Sequence, residues 1–236
     1  TWMTARYTIT GIGEALFDML PSGEQLGGAP INLAIHAHQL LAPLSGRGVP
    51  VSRVGQDSLG QRVAEELRGR GLTTDYLQTD PDHETGQVFV ELDASGQPDY
   101  DIAEQVAWDM IQFDPDLEDL ARHTDAVAFG SLAQRDAQSR NTIYRFLDST
   151  KPRVIRLFDV NLRQNFYDRF VIERSLERAS VVKLNEDELP VLAEMFHIGG
   201  ETDEQVQKLI KKYELKSVAL TRGAQGTALY TGGQVY

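Results

Sequence analysis

Short apolar runs alternate with longer amphipathic segments along most of the chain. Continuous apolar runs are typical of buried strands, and apolar positions three and four residues apart are typical of helices. Strands are predicted at residues 7–12, 49–54, 126–130, 154–160, 181–184 and 218–221. Helices are predicted at residues 30–41, 58–67 (with Ser58 as N-cap), 115–123, 136–149, 168–178, 186–196 and 202–213. This order predicts an α/β fold with a mostly parallel sheet covered by helices on both faces.

The segment 87–103 departs from that order. Residues 87–93 alternate between apolar and polar, and Ala94-Ser95-Gly96 forms a turn into residues 98–103. Such a pattern predicts a β-hairpin, which would add a small β flap to the sheet. A second hairpin is predicted at residues 227–236. Because it stops inside its second strand, we expect the chain to be a fragment of a longer protein.

Composition narrows the function classes. The 236 residues include 23 Lys and Arg against 35 Asp and Glu, a formal net charge of −12, which argues against a general nucleic-acid or membrane-surface binder. The absence of cysteine excludes disulfides, thiolate metal sites and cysteine nucleophiles. No apolar run approaches the roughly 20 residues of a membrane span, and no signal peptide opens the sequence. We therefore expect a cytoplasmic protein.

Polar side chains follow nearly every predicted strand. In open parallel sheets, ligands bind outside the carboxyl ends of the strands. Turn chemistry alone accounts for any one of these residues, because strand-to-helix turns favour Asp, Asn, Ser and Gly. Their convergence on one edge favours a binding site there. The residues are Glu14, Asp18, Gly55, Asp57, Ser131, Asp159, Asn161, Arg163, Asn185, Glu188, Thr221 and Gly223.

Several familiar motifs do not fit. Gly11-x-Gly13 follows a strand, but Leu16 stands where the dinucleotide-binding motif requires Gly or Ala. The sequence contains neither a P-loop nor a G-x-S-x-G elbow. His36 and His38, two apart on a predicted helix, point to different faces and cannot share a metal ion.

Six motifs, each at a strand end, occur along the chain. They are Gly13-Glu14-Ala15-Leu16-Phe17-Asp18, Gly27-Gly28-Ala29-Pro30-Ile31-Asn32, Val54-Gly55-Gln56-Asp57-Ser58-Leu59-Gly60, Asp159-Val160-Asn161-Leu162-Arg163, Lys183-Leu184-Asn185-Glu186-Asp187-Glu188 and Thr221-Arg222-Gly223-Ala224-Gln225-Gly226. Through these motifs the chain resembles the ribokinase-type (PfkB) carbohydrate kinases, most closely the fructokinases, over nearly its whole length. This resemblance implies a ribokinase-like three-layer sandwich with a small β lid.

The resemblance also implies an activity, ATP-dependent phosphorylation of a sugar hydroxyl with Mg²⁺, and K⁺ as a further cation. It implies one kinase domain over residues 1–236, with a lid from about residues 14–24 and 86–104. Lid sheets of this family pair between subunits, so a homodimer through the lid is expected. The small-molecule partners are the sugar and ATP, with no nucleic acid and no membrane.

The resemblance assigns roles on the sugar side of the site. Asp18 would accept hydrogen bonds from paired sugar hydroxyls, since a carboxylate takes two donors side by side. Gly27 and Gly28 would let the backbone approach the sugar closely. Glu14 is a weaker candidate, because it could simply fasten its loop. The full set of substrate-binding candidates is Glu14, Asp18, Gly27, Gly28, Asn32, Phe89, Ile102, Asp159 and Asn161.

A second set lies on the phosphate side. Arg163 would stabilise charge on the transferred phosphoryl group. The alternative role for this arginine is a surface ion pair without a catalytic function. Glu188 would act on Mg²⁺ and its waters, whereas a helix-capping box would need the same Asn-x-x-Glu spacing. The nucleotide-binding candidates are Lys183, Asn185, Thr221, Gly223 and Gly226.

One motif of the family is absent. The G-A-G-D segment, which carries the general-base aspartate and an anion hole at a helix N-terminus, does not occur in the sequence. Three alternatives to a fructokinase-like enzyme therefore stay open. They are a kinase of another ketose, a ketonate or a nucleoside; a sugar-binding module without turnover; and, with little support, an NAD-dependent Rossmann protein.

Overall fold

The computed structural model describes residues 6–92 and 98–236. Its main sheet has nine strands in the order β13-β12-β11-β10-β9-β8-β1-β4-β5 within these residues. Strands β5 to β11 of that order are parallel, and β12 and β13 add an antiparallel hairpin at one edge. The strands are β1 (Tyr7–Ile12), β4 (Gly46–Gly55), β5 (Leu77–Asp80), β8 (Ala126–Gly130), β9 (Ile155–Asp159), β10 (Val181–Asn185), β11 (Ser217–Thr221), β12 (Thr227–Thr231) and β13 (Gln234–Val235).

Helices cover both faces of this sheet. Gly48 and Val54 of β4 face α1 and α2, whereas Val49 and Val51, on the alternate positions, enter the core that contains α3 and α4. The predicted three-layer α/β fold is therefore confirmed. The helices are α1 (Ala29–Leu41), α2 (Ser58–Gly69), α3 (Pro115–His123), α4 (Ala137–Asp148), α5 (Arg169–Arg178), α6 (Glu188–Met195) and α7 (Thr202–Tyr213).

A search of the described helices for one long and apolar enough to cross a bilayer finds none.

A second, four-stranded sheet stands beside the main one, in the order β3-β2-β6-β7. We call it the lid sheet. Its strands are β2 (Leu16–Leu20), β3 (Gly23–Gly27), β6 (Gly86–Leu92) and β7 (Pro98–Ile102). The predicted β lid is confirmed, and the turn predicted at Ala94-Ser95-Gly96 lies outside the described residues.

Two glycines let α1 lie directly on the main sheet. A Cβ on Gly11 of β1 would come within 2.0 Å of the Pro30 carbonyl oxygen, and a Cβ on Gly48 of β4 within 1.8 Å of the Ala34 carbonyl oxygen. No side chain larger than hydrogen fits at either position. This close approach fixes the N-terminus of α1 above the carboxyl end of β1, which is where the candidate site lies.

Three details differ from the sequence-based expectation. Asp57, not Ser58, is the N-cap of α2, since its Oδ1 accepts a hydrogen bond from the Gly60 amide at 2.7 Å. Asp57 Oδ2 also accepts from the Thr85 amide at 2.8 Å, which fastens the start of β6 to α2. Strands β3 and β5 were not predicted, because the first is mostly polar and the second is a short edge strand.

Gly48→Ala should lower the free energy of unfolding by about 3 kcal/mol or more, because the added methyl group overlaps the backbone of α1. Urea denaturation measures the loss. Gly69→Ala, at the end of α2, is the matched control: a Cβ there meets no atom within 4 Å, so stability should stay the same or rise slightly. Equal stability of the two variants would contradict this account of α1 packing.

Candidate active site

A cleft of about 610 Å³ lies between the lid sheet and the carboxyl ends of the central strands. Apolar side chains of the lid sheet form its roof, and polar side chains of the strand-end loops form its floor. The lining residues are Glu14, Leu16, Asp18, Leu20, Gly28, Ala29, Asn32, Val88, Tyr100, Ile102, Leu132, Asp159, Asn161, Arg163 and Lys183. Most of the residues predicted for the sugar side are therefore brought together.

Glu14 is the most deeply buried acidic group of the cleft, at 1% exposure. It lies in the turn between β1 and β2. Its Oε1 accepts a hydrogen bond at 3.1 Å from the amide of Ala29, which is the first residue of α1. Its Oε2 is buried and has no hydrogen-bond partner among the described residues. Burial raises the pKa of Glu14 to about 7, with a smaller contribution from the nearby Asp159 carboxylate. Glu14 therefore fastens its loop to α1 and also presents a second oxygen at the cleft.

Asp18 projects into the cleft from β2. A Cβ on Gly27 of the neighbouring β3 would come within 2.5 Å of Asp18 Oδ2, so the glycine provides the space for this carboxylate. Burial raises the pKa of Asp18, and the Arg163 guanidinium opposes that shift. Gly28 has a φ of 107°, and a Cβ there would lie 2.1 Å from the Glu14 carbonyl oxygen. Gly27 is thus required by the Asp18 side chain, and Gly28 by the local backbone.

The loop after β9 carries Asp159, Asn161 and Arg163. Asn161 has a positive φ of 41°, a conformation that asparagine tolerates better than most residues. Two side chains hold this loop: Ser131 Oγ donates to the Val160 carbonyl at 2.7 Å, and Glu188 Oε1 accepts from the Leu162 amide at 3.0 Å. The loop is therefore supported from β8 and from α6.

An ion pair lies at the base of the same loop. Lys183 Nζ of β10 is 3.0 Å from Asp159 Oδ1 of β9, and both residues line the cleft. The pair places a positive charge beside the carboxylate at the junction of the sugar side and the phosphate side.

Arg163 is exposed, and its side chain donates a hydrogen bond to the Leu162 carbonyl oxygen at 3.1 Å. The alternative role of Arg163, a surface ion pair, is not seen, because Arg163 takes part in none of the ion pairs of the described residues.

Asn185 and Glu188 form a reciprocal capping arrangement. Asn185 Oδ1 accepts from the Glu188 amide at 2.8 Å, and Glu188 Oε2 accepts from the Asn185 amide at 2.8 Å. With its other oxygen on the Leu162 amide, Glu188 is engaged on both sides and only 5% exposed. The capping alternative is therefore present in the structure. Each oxygen keeps a second lone pair that can accept from a metal-bound water.

The remaining nucleotide candidates lie beyond the cleft, at the end of β11. Thr221 is the register partner of Asn185. Gly223 and Gly226 have φ values of 50° and 87°, and a Cβ at either meets no atom within 4 Å, so the turn between them borders open space. Arg222 Nε is buried without a hydrogen-bond partner among the described residues. The open space beside this turn leaves room for a ligand next to the end of β11.

The described residues of the site could bind a divalent cation in one mode only. The described residues contain no group of three or more His, Cys, Asp or Glu side chains that could hold a metal ion. Mg²⁺ usually binds through one or two carboxylates together with water and substrate phosphates. Glu188 beside the Asn185 turn fits that mode, in which the phosphates supply most of the ligands.

Phe89 is not among the residues lining the cleft. Val88 is 5% exposed and faces the cleft together with its register partner Ile102, so the next residue of β6 points to the opposite side of the lid sheet. Phe89 is 44% exposed on that outer side. The strand alternation already identified Val88, so this misplacement was avoidable. The same alternation places Tyr100 on the cleft face of β7 beside Ile102, whereas Leu132, which also lines the cleft, has no comparable sequence signal.

Glu14 should make stability depend on pH. In the unfolded chain it loses its proton near the ordinary pKa of 4.5, whereas in the folded protein it keeps the proton up to about pH 7. Raising the pH through this window therefore destabilises the folded state, by roughly 3 kcal/mol at most. Urea unfolding at about pH 5 and about pH 8 should show this loss in the wild type and a smaller one in Glu14→Gln.

Glu65→Gln is the matched control for this comparison, because Glu65 is an exposed glutamate on α2. It should keep the pH dependence of the wild type. If Glu14→Gln also keeps it, the buried carboxyl is not the group responsible.

Comparison with known proteins identifies the family of the chain. The sequence profile of the pfkB family carbohydrate kinases matches residues 23–236. A fructokinase of Escherichia coli is 28% identical over 238 residues, which covers 95% of this chain and 74% of that relative. The crystal structure of apo fructokinase from Vibrio cholerae O395 is 26% identical with a TM-score of 0.80, covering 98% of this chain and 80% of that one.

A third comparison concerns an uncharacterized sugar kinase of Pyrococcus horikoshii, solved in complex with ATP. It is 26% identical with a TM-score of 0.77, and the match covers 97% of this chain and 75% of that one. The fold, the order of the six motifs and the extent of the profile match agree with one another. The chain belongs to the pfkB family of carbohydrate kinases.

Proposed function

We propose that this protein transfers the γ-phosphoryl group of ATP to a hydroxyl of a neutral sugar, with fructose as the first candidate. The observation that carries the proposal is the cleft itself, in which carboxylates for hydroxyl recognition and cations for phosphate line one cavity together with apolar side chains of the lid sheet. Support for fructose comes from the fructokinases among the relatives, and support for ATP from the nucleotide-bound sugar kinase.

On the sugar side, Asp18 accepts hydrogen bonds from neighbouring hydroxyls, and the half-buried position of its carboxylate strengthens them. Asn32, one turn into α1, offers both a donor and an acceptor. Glu14 Oε2 is a further acceptor, since it has no partner in the described structure. Gly27 and Gly28 keep the backbone close to the sugar. The loop residues Asp159 and Asn161 complete the substrate contacts.

On the phosphate side, Arg163 stabilises the charge that develops on the transferred group. Lys183, Asn185, Thr221, Gly223 and Gly226 hold the nucleotide, and Glu188 orients water on Mg²⁺. The bound Mg²⁺ supplies electrostatic neutralisation of the phosphates. The lid sheet excludes water, which limits hydrolysis of ATP. The general base is assigned to no residue of this chain, because the sequence contains no G-A-G-D segment.

The charge of the cleft favours a neutral sugar over a sugar acid. The acidic groups Glu14, Asp18 and Asp159 line it together with the two cations Arg163 and Lys183, and Glu14 keeps its proton up to about pH 7. Lys183 is paired with Asp159, which leaves Arg163 for the phosphate. A ketonate would bring its carboxylate toward Asp18 without a further cation to meet it, and like charges at close range are repulsive.

The proposal is tested by Mg·ATP-dependent release of ADP with fructose, other neutral sugars, sugar acids and nucleosides. Release with fructose above all others is the expected result. Preference for a sugar acid or a nucleoside would overturn the substrate assignment. Sugar binding by titration calorimetry without any ADP release would instead support the sugar-binding module.

Asp18→Ala should weaken fructose binding roughly 100-fold or more, because it removes a charge-assisted contact to the hydroxyls. Calorimetry measures the dissociation constant directly, and the assay should show a matching rise in KM. Asp101→Ala is the matched control, since this exposed aspartate of β7 lies between two cleft-facing residues and points away from the cleft. Wild-type affinity in Asp18→Ala would remove Asp18 from the site.

A further inference from the structure

Arg135 is a buried cation outside the cleft that no motif identifies. It follows the short 3₁₀ turn Leu132–Gln134, and its side chain is 8% exposed. Its Nε and one terminal nitrogen donate to the two carboxylate oxygens of Asp109, both at 2.8 Å. Asp109 is itself 2% exposed and accepts from the Val106 amide at 3.1 Å. The pair is a bidentate, buried salt bridge.

Arg135 also reaches the end of the lid sheet. The terminal nitrogen that binds Asp109 donates a second hydrogen bond, at 2.6 Å, to the carbonyl oxygen of Ala103, the residue directly after β7. The preceding residue, Ile102, lines the cleft. Arg135 therefore holds the inner end of the lid strand that covers the candidate sugar site.

The faces of the guanidinium meet two aromatic rings. Its central carbon lies 4.0 Å from the ring centroid of Trp108 and 4.8 Å from that of Phe166. The Phe166 amide donates to the carbonyl of Arg163 at 3.1 Å, so Phe166 closes the turn that begins at Arg163. Through Phe166, Arg135 supports the segment that carries the phosphate-side arginine.

A second, direct contact joins the same two parts. Gln164 Nε2 donates to the carbonyl oxygen of Tyr100 in β7. Gln164 lies next to Arg163 and has a positive φ of 46°. The lid strand and the Arg163 turn are thus connected at two points, one exposed through Gln164 and one buried through Arg135.

We propose that Arg135 is a positioning residue that couples lid strand β7 to the turn bearing Arg163, so that the two keep one relative position when the cleft closes on its sugar. The inference rests on the proposed function for its catalytic meaning. Only a planar group with several donors and two faces can bind Asp109, Ala103 and Phe166 at once. A lysine could keep the charge next to Asp109 but not the other two contacts.

The test compares Arg135→Lys with Arg62→Lys. Arg62 is the matched control, because it also binds a lid carbonyl, that of Glu24 at 3.1 Å, and also lies over an aromatic ring, that of Phe17 at 4.5 Å. It fastens β3, on the opposite edge of the lid sheet. Arg62 therefore reports on loosening of the lid without any link to the Arg163 turn.

Amide hydrogen exchange without ligand is the first measurement. In Arg135→Lys, exchange should become roughly tenfold faster both in β7 and in residues 163–166, and stay unchanged in β10 and β11. In Arg62→Lys only β3 should exchange faster. Unchanged exchange at residues 163–166 in Arg135→Lys would overturn the proposal, whatever the activity of the protein.

Kinetics give the second measurement. Arg62→Lys should raise the KM for fructose with little change in kcat, whereas Arg135→Lys should also lower kcat, because it displaces Arg163. A rise in KM alone in both variants would make Arg135 a lid fastener and nothing more. Absence of turnover in the wild type would refute the proposed function, while the exchange result would still decide the coupling.

Phe166→Leu covers the case in which Arg135→Lys does not fold. It leaves the Asp109 pair intact and removes the ring contact between Arg135 and the turn, while leucine keeps an apolar side chain against the core. Faster exchange at residues 163–166, with β7 unchanged, is expected. Wild-type exchange in this variant would contradict a role for Phe166 in the coupling.

Discussion

The site depends on the contact between the backbone of α1 and two strands of the main sheet. Because Gly11 and Gly48 present no side chain, the helix lies on β1 and β4 at backbone distance. Ala29, the first residue of the helix, is then near enough to the β1–β2 turn for its amide to donate a hydrogen bond to Glu14. The strand, the turn and the helix N-terminus become one rigid corner. Asp18 on β2 and Asn32 on α1 project from the two sides of that corner.

The electrostatics of the cleft follow from the same corner. Glu14 is deprived of water by the helix and the turn, and its pKa is accordingly raised. Asp18 is less buried, and the Arg163 guanidinium opposes the rise in its pKa, so the two acids experience different surroundings. Lys183 balances Asp159 at the other end. One cleft thereby contains an acidic end suited to hydroxyl groups and a cationic end suited to phosphate.

Sequence reasoning recovered what local patterns determine. The strands and helices of the main sheet follow apolar periodicity, and the polar strand ends follow from parallel topology. Strand β3 was missed because Gly23–Gly27 has one apolar side chain, and it is a strand only through its pairing with β2. Phe89 was misplaced although the alternation with Val88 was available. The family motifs supplied the sugar-side candidates before any geometry was known.

What the sequence could not supply are contacts between distant segments. Arg135 reaches Asp109 and Ala103, which lie 26 and 32 residues away, and no spacing rule indicates either partner. The two hydrogen bonds of Glu188 differ in the same way. Its bond to the Asn185 amide is local and was foreseen as a capping box, whereas its bond to the Leu162 amide depends on the packing of α6 beside the loop after β9.

The cleft is lined by two separate parts of the chain. The cleft-lining residues of the lid sheet and of α1 all precede residue 103, whereas Asp159, Asn161, Arg163 and Lys183 follow residue 158. Under the proposed function, substitutions before residue 103 can therefore alter most sugar contacts without touching the residues proposed to bind phosphate, and the sugar contacts Asp159 and Asn161 lie among the latter. The segment 131–135, which reaches the loop after β9 through Ser131 and the lid through Arg135, lies between these two parts of the chain. A substitution in this segment can therefore affect both parts of the cleft.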